Sequence, residues 1–131
     1  MSLAVDSSVW VDFLRGAATD QAQLLHKALV TRRIILGDLV YLEVMRGVAD
    51  GDSARVRRQL EAYGIVAFGG EELAVLAAKH YALLRTKGVT VRKTIDMLIG
   101  TWCMVNRVPL LHSDRDFDPL EEHLGLQVWR G

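Results

Sequence analysis

The chain has 131 residues, of which 50% are hydrophobic and 24% are charged, and this composition excludes an intrinsically disordered protein. Sixteen Lys and Arg residues balance sixteen Asp and Glu residues. The net charge therefore supplies no global attraction to nucleic acid, and any such attraction must come from a local basic patch. The length predicts one domain over residues 1–131.

Two features of the sequence predict the compartment. The single cysteine, Cys103, cannot form an internal disulfide, which is typical of a protein from a reducing compartment. The longest uncharged run, residues 97–106, has about half the length that spans a bilayer. We therefore expect a cytoplasmic protein without a membrane-spanning segment.

Short apolar runs alternate along the chain with longer segments of helical periodicity. The runs are short and continuous, as in strands that helices cover on both faces. We therefore predict an α/β fold with a short, mostly parallel central sheet flanked by helices. The predicted elements, in chain order, are a strand at 3–5, a helix from the start signal at 6–8 to 15 or 16, a helix at 20–31, a strand at 34–36, a helix from 38 to 46 or 47, a helix at 52–63, a strand at 65–68, a helix at 71–87, a helix at 94–106, a strand at 109–112 and a strand at 126–129. Asp38 is the predicted N-cap of its helix.

Asp6 and Asp114 follow the first and fourth predicted strands. Ligands of parallel sheets gather at the carboxyl ends of the strands, so both positions are candidates for a functional site. Taken singly, each acid is better explained as the cap of a helix or a turn than as a functional residue.

Asp96 is the only charged residue between Lys93 and Arg107, in a helix that is apolar nearly all round and is therefore expected to be buried. Its place in the first turn gains only about 0.3–1 kcal/mol from the helix dipole, which is less than the cost of burying an unpaired carboxylate. Asp96 therefore needs a partner. That partner is either Arg92, in a salt bridge, or a functional ligand.

Glu43 presents the same problem in an earlier helix. Its neighbours at helical spacing include Leu39, Val40 and Gly47, so it points along a face that is expected to pack. Arg46, three residues later, is its only basic neighbour at that spacing. A pair with Arg46 and a functional role are both open.

The four acids are more informative together than singly. Carboxylates that lie close together repel one another, and some would hold protons unless a positive charge balanced them. Mg²⁺ or Mn²⁺ is the economical counter-charge, because both ions take oxygen ligands from a few carboxylates and from substrate phosphate. Two such ions could flank an in-line displacement at phosphorus.

In the segments that carry these residues, the chain resembles the PIN-domain family, and within it the VapC-type toxins of prokaryotic toxin–antitoxin pairs. The resemblance rests on four segments in this order: 4–16, 42–47, 94–99 and 110–117. It implies a PIN-like three-layer domain and a Mg²⁺- or Mn²⁺-dependent endoribonuclease, a phosphodiester hydrolase that acts through a metal-activated water.

The resemblance also implies a set of site residues. It assigns the catalytic and metal-binding carboxylates to Asp6, Glu43, Asp96 and Asp114, with Asp116 as a supporting fifth acid. Ser7 corresponds to a small hydroxyl residue that holds either a water on the metal or a neighbouring carboxylate.

The implied partners are an RNA substrate, a VapB-like antitoxin and a second copy of the chain in a homodimer. Arg92, Lys93 and Arg115 are the candidate RNA-binding residues at the rim of the site. The sequence identifies few aromatic side chains that are free to stack on bases, so we expect recognition of a structured RNA by shape and backbone.

Other functions stay open at this point. A PIN-fold nuclease could act on DNA or in RNA processing, and a non-catalytic module could use the same acids to bind a metal or a basic partner. Two further α/β classes are disfavoured by the residues. A haloacid-dehalogenase-type phosphatase needs a second Asp at position 8, which is Ser8, and a receiver domain needs a late lysine, whereas none follows Lys93.

Overall fold

The computed structural model describes all 131 residues. Its four strands are β1 (Ser2–Val5), β2 (Arg33–Gly37), β3 (Ile65–Val66) and β4 (Leu110–Leu111). Its seven helices are α1 (Ser7–Leu14), α2 (Asp20–Thr31), α3 (Asp38–Arg46), α4 (Ser53–Glu61), α5 (Glu71–Thr86), α6 (Thr94–Asn106) and α7 (Asp118–Leu124), with short 3₁₀ turns at Asp50–Asp52 and Arg115–Phe117.

The four strands form one parallel sheet in the order β3-β2-β1-β4. Parallel neighbours need crossover connections, which the helices between the strands provide. β1 lies in the interior of the sheet, and Val5 at its carboxyl end is opposite Leu111 at the carboxyl end of β4. The predicted α/β fold with a parallel sheet is confirmed.

The central strands and helix α6 form the middle of the hydrophobic core. Leu3, Ala4 and Val5 of β1 are each 1% exposed, as expected for a strand that is covered on both faces. The predicted burial of α6 is confirmed for the face that carries Met97, Ile99 and Cys103, whereas Val105 near the end of this helix is 52% exposed. None of the seven helices combines the length and apolarity that crossing a membrane requires.

The end of the chain differs from the prediction in two ways. The predicted strand at 126–129 is a single parallel bridge between Leu110 and Val128. Helix α7 was not predicted, although Pro119 in its first turn and Gly125 after its last residue, with φ of +82°, are standard signals for the start and end of a helix.

The start of helix α3 also differs from the prediction. Gly37, not Asp38, is the N-cap residue, and Asp38 is the first residue of the helix. The Asp38 carboxylate accepts hydrogen bonds from the backbone N–H groups of Leu39 (2.8 Å) and Phe68 (2.9 Å). Because Phe68 N–H bonds to this side chain, β3 ends at Val66 instead of continuing to the predicted residue 68.

Candidate metal centre

The sheet topology brings the first and last parts of the site together. The backbone N–H of Asp6 donates to the carbonyl of Leu111 (2.9 Å), so Asp6 leaves β1 beside the point where the chain leaves β4. The turn after β4 then carries Asp114 and Asp116. Helix α6 supplies Asp96 from its first turn.

Three carboxylates form a compact group, which we call the carboxylate cluster: Asp96, Asp114 and Asp116. One carboxylate oxygen from each lies within 4.8 Å of the others. Asp96 is 2% exposed, whereas Asp114 and Asp116 are half-buried at the surface. The cluster therefore has one buried acid and two acids that open to solvent.

The turn that carries Asp114 and Asp116 is held by its own hydrogen bonds. The N–H of Asp116 donates to Asp114 Oδ1 (2.9 Å), and the N–H of Asp114 donates to His112 Nδ1 (3.2 Å). Phe117, which is fully buried, anchors the end of the turn and packs against the His112 ring at 4.9 Å between centroids. This arrangement directs both carboxylates towards Asp96.

Asp6 and Glu43 lie beside the cluster but are not members of it. Asp6 is 3% exposed, and its Oδ2 accepts a hydrogen bond from Ser8 Oγ (3.0 Å). Glu43 on α3 accepts a hydrogen bond from Ser7 Oγ (3.1 Å). Ser7 thus contacts a neighbouring carboxylate, which is one of the two roles that the resemblance implies for it.

The two buried acids hold their protons unusually tightly. Burial raises the pKa of Asp6 to about 6, and the negative charge of Glu43 adds to this effect. Burial also raises the pKa of Asp96 to about 7, and the charge of Asp6 raises it further while Lys93 opposes the increase. The charge of Asp6 therefore acts on Asp96 across the edge of the sheet.

The pKa of Asp114 changes in the opposite direction. Partial burial favours its neutral form, but the hydrogen bond from the N–H of Asp116 and the ammonium of Lys93 outweigh burial and lower the pKa below its usual value. The Lys93 Nζ lies 3.1 Å from Asp114 Oδ2. Asp114 therefore ionises more readily than the two buried acids, Asp6 and Asp96.

The salt bridges that the sequence offered as alternative explanations for Asp96 and Glu43 are not present. Arg92 pairs with Asp116 at 3.2 Å, not with Asp96, and Arg46 forms no salt bridge with Glu43. Arg115, the third candidate RNA-binding residue, is exposed and forms no ion pair. Its charge is therefore available at the rim of the site.

The residues present fit a hard divalent cation. Asp6 Oδ1 and Asp96 Oδ2 are buried and have no hydrogen-bond partner, which is costly for a polar atom unless a ligand satisfies it. The available donors are carboxylate oxygens, the type that Mg²⁺ and Mn²⁺ prefer. The nearby soft donor, Cys103, is buried and its pKa is raised to about 12, so the thiolate that a soft metal needs does not form near neutral pH.

Several contacts of the site were not predicted from the sequence. Ser113 Oγ donates to Ser8 Oγ (3.1 Å), so two hydroxyls link the turn after β4 to Asp6. The position of Ser8 two residues after Asp6, at the start of a helix, was a usable signal for this contact. The bond between His112 and Asp114 had only their close spacing in the sequence as a signal.

Comparison with known proteins places this geometry in a family. Among the solved structures to which the chain is similar along almost its whole length are two of VapBC proteins. One is from VapBC-1 of nontypeable Haemophilus influenzae, with 16% identity, a TM-score of 0.74 and coverage of 98% of this chain and 97% of that chain. The other is from VapBC2 of Rickettsia felis bound to a DNA fragment from their promoter, with 14% identity, a TM-score of 0.70 and 98% of each chain covered.

At these identities the two structures show a shared fold. The family comparison is more specific, because the PIN domain model matches residues 3–122. This match includes residues 3–5 of β1, the whole of β4 and α6, and every acid of the site. The chain belongs to the PIN domain family.

Proposed function

We propose that this protein is a Mg²⁺- or Mn²⁺-dependent endoribonuclease and the VapC-like toxin of a toxin–antitoxin pair. The observation that carries the proposal is the convergence of Asp96, Asp114 and Asp116 in a PIN domain, beside buried oxygens of Asp6 and Asp96 that have no partner in the chain. Such a group of acids is unfavourable without a cation and suits hydrolysis of a phosphodiester.

Each acid has a distinct part in this proposal. Asp96, Asp114 and Asp116 would hold the cation, and Asp6 would complete its environment from the carboxyl end of β1. A divalent cation, when bound, lowers the pKa of water and neutralises charge on phosphate oxygens. Glu43, held by Ser7 through one oxygen, has its second carboxylate oxygen available to orient the attacking water and accept its proton.

The basic residues at the rim would bind the RNA backbone. Lys93 forms a salt bridge with Asp114 (3.1 Å), and Arg92 forms one with Asp116 (3.2 Å). Both cations therefore partly neutralise a site that would otherwise repel a polyanion. Arg115 carries a free charge on the same turn as Asp114. These three cations favour a substrate that is recognised through phosphates, such as a structured RNA.

The proposed partners follow from the family and from the names of the two similar complexes. We propose a VapB-like antitoxin that covers the site, a homodimer of this chain and a cytoplasmic location. Co-expression with the adjacent upstream reading frame is expected to yield a stable complex without nuclease activity. Full nuclease activity in that complex would contradict inhibition by occlusion.

The proposed homodimer has a separate test. Light scattering of the free chain is expected to give twice the monomer mass.

The decisive experiment compares RNA and DNA of the same sequence. Purified protein is incubated with a labelled hairpin RNA and with its DNA counterpart, in Mg²⁺, in Mn²⁺ and in EDTA. We expect cleavage of the RNA alone, only with a divalent ion, and no cleavage by Asp96→Asn. Preferential cleavage of the DNA would support a DNA nuclease instead, and cleavage in EDTA would contradict the metal site.

A further inference from the structure

A second concave surface adjoins the carboxylate cluster. This cleft has a volume of about 460 Å³ and lies between the start of α2, the turn after β4 and the last residues of the chain. Asp114 belongs both to the cluster and to the lining of the cleft, and Arg115 lies next to it in the same lining. A molecule in the cleft would therefore lie directly beside a phosphodiester at the cluster.

Two aromatic rings line the cleft, those of His112 and Trp129, and the indole of Trp129 is the larger. The guanidinium of Arg32 lies 5.4 Å from the centroid of the Trp129 ring. This cation–π contact favours the observed orientation of the ring. A base that stacks on such a ring binds about 5- to 150-fold more tightly than without it, as converted from 1–3 kcal/mol.

The charges of the lining disfavour a phosphate in the cleft. Three carboxylates, of Asp20, Asp114 and Asp118, face two cations, of Arg115 and Arg130. Arg130 is already bound by both carboxylate oxygens of Glu121, at 2.8 and 2.9 Å. Carboxylates only accept hydrogen bonds, so the cleft suits a neutral ligand that carries N–H donors.

Among RNA bases, guanine matches these features best. Its N1–H and N2–H groups are adjacent and parallel, so they can donate to both oxygens of one carboxylate, whereas the other bases offer a single N–H site at that edge. We infer that the cleft binds one unpaired guanine of the substrate, which stacks on Trp129 and donates to Asp20 or Asp118. This inference rests on the proposed function. It adds the recognition of one base to the expected recognition of the RNA by shape.

Binding can be tested without any cleavage. Native protein labelled with ¹⁵N, in EDTA, is titrated with guanosine, inosine, adenosine and uridine while the indole N–H signals are recorded by NMR. Trp129→Phe identifies the Trp129 signal among those of the three tryptophans. We expect the titration of that signal to give a Kd for guanosine at least 5-fold lower than the Kd for inosine, which lacks the N2 amino group. Either Asp20→Asn or Asp118→Asn is expected to abolish the difference.

Cleavage provides the second test. Trp129→Leu is expected to raise KM about 5- to 150-fold for an RNA with one loop guanine, with kcat within about threefold of native, and Trp129→Phe to restore KM. Tyr81→Leu is a matched control, since Tyr81 is also an aromatic ring beside an arginine, Arg85 at 5.5 Å, but lines a different groove. It is expected to leave KM unchanged.

The outcomes separate this inference from the proposed function. Equal binding of all four nucleosides, or an unchanged KM in Trp129→Leu, would overturn the guanine site while leaving the nuclease intact. Selective guanosine binding by a protein that cleaves no RNA would support the base site and overturn the proposed nuclease.

Discussion

Asp96 is the residue at which folding and function oppose one another most clearly. It is 2% exposed in a helix of apolar neighbours, and its Oδ2 has no partner. A buried carboxylate of this kind destabilises the folded chain in the absence of a cation. Removing its charge is therefore expected to stabilise the protein and to abolish the proposed activity.

Asp96→Asn keeps the shape of the side chain and removes its charge. In EDTA we expect this variant to unfold at least about 3 °C above the native protein, since a chain of this size gains about 3–5 °C per kcal/mol. RNA cleavage is expected to fall by at least about 100-fold. Asp12→Asn on α1, which is outside the site, is the control and is expected to change neither quantity. Native-like cleavage by Asp96→Asn across a Mg²⁺ titration would contradict the assignment.

The raised pKa values of Asp6 and Asp96 predict how stability depends on pH. Both groups bind protons more tightly in the folded chain than in the unfolded chain, where an Asp pKa is about 3.9. In the metal-free protein, the contribution of these two groups to the free energy of unfolding is therefore fully present below about pH 4. It is lost as pH rises to about 7. Urea unfolding in EDTA at pH 5 and pH 8 measures this loss.

A variant isolates the contribution of Asp96 to that slope. Asp96→Asn is expected to lose less stability between pH 5 and pH 8 than the native protein does. Mg²⁺ is expected to stabilise the native protein more at pH 8 than at pH 5, because ionised carboxylates bind the ion better. Equal pH slopes for the two proteins would show that Asp96 titrates in the folded chain as it does in the unfolded one.

Some site residues were visible in the sequence for a physical reason, and others were not. Asp96 interrupts an apolar helix, so its burial could be inferred from the spacing of apolar residues, although the spacing left open whether Arg92 was its partner. The grouping of Asp116 with Asp96 and Asp114 depends on the hydrogen bonds of one tight turn, which the spacing does not define. Trp129 gave no signal, because its place beside Asp114 results from packing of distant segments.

At the scale of elements, the entry into helix α3 depends on a close approach of two segments. A Cβ atom added at Gly37 would overlap the Phe68 ring. That ring is 1% exposed and stacks on Trp102 with 4.2 Å between centroids. Gly37 has an ordinary φ of −76°, so the space and not the backbone conformation requires glycine here.

Gly37→Ala is therefore expected to destabilise the protein by about 1–3 kcal/mol, because the stacked ring must move within a packed core. Urea unfolding measures the change. Gly51→Ala is the matched control, since an added Cβ at Gly51 meets no atom within 4 Å, and we expect a change below about 0.5 kcal/mol. Similar losses for both variants would show that the ring relaxes easily.

Element boundaries show where local pattern was sufficient and where tertiary structure decided. Helices α2 and α6 have the predicted ends, because their apolar periodicity and flanking residues agree. Strands β3 and β4 have only two residues each. Their apolar runs are longer, but Phe68 bonds to the Asp38 side chain, and the run after Leu111 turns away to form the site.

At the scale of the whole molecule, the zero net charge makes each free cation at the site important. Lys93 and Arg92 are paired with carboxylates, whereas Arg115 is not. Arg115→Ala is expected to lower RNA affinity and to reduce the slope of log K against log salt by about 1. Binding of a labelled hairpin RNA to Asp96→Asn protein, with and without the second change, measures both.

Arg58→Ala on α4 is the control for this prediction, because Arg58 is also exposed and forms no ion pair. It is expected to leave the salt slope unchanged. An equal reduction of the slope by both variants would mean that RNA responds to overall charge instead of to the rim of the site.

The order of the elements along the chain also sets when the site can exist during synthesis. Asp6 and Glu43 emerge early, but all three acids of the carboxylate cluster follow residue 95, and β4 pairs with β1 across more than a hundred residues. A nascent chain that ends after α5 holds only three of the four strands and none of the cluster. During synthesis the site can therefore be complete only after the segment that carries Asp96, Asp114 and Asp116 has left the ribosome.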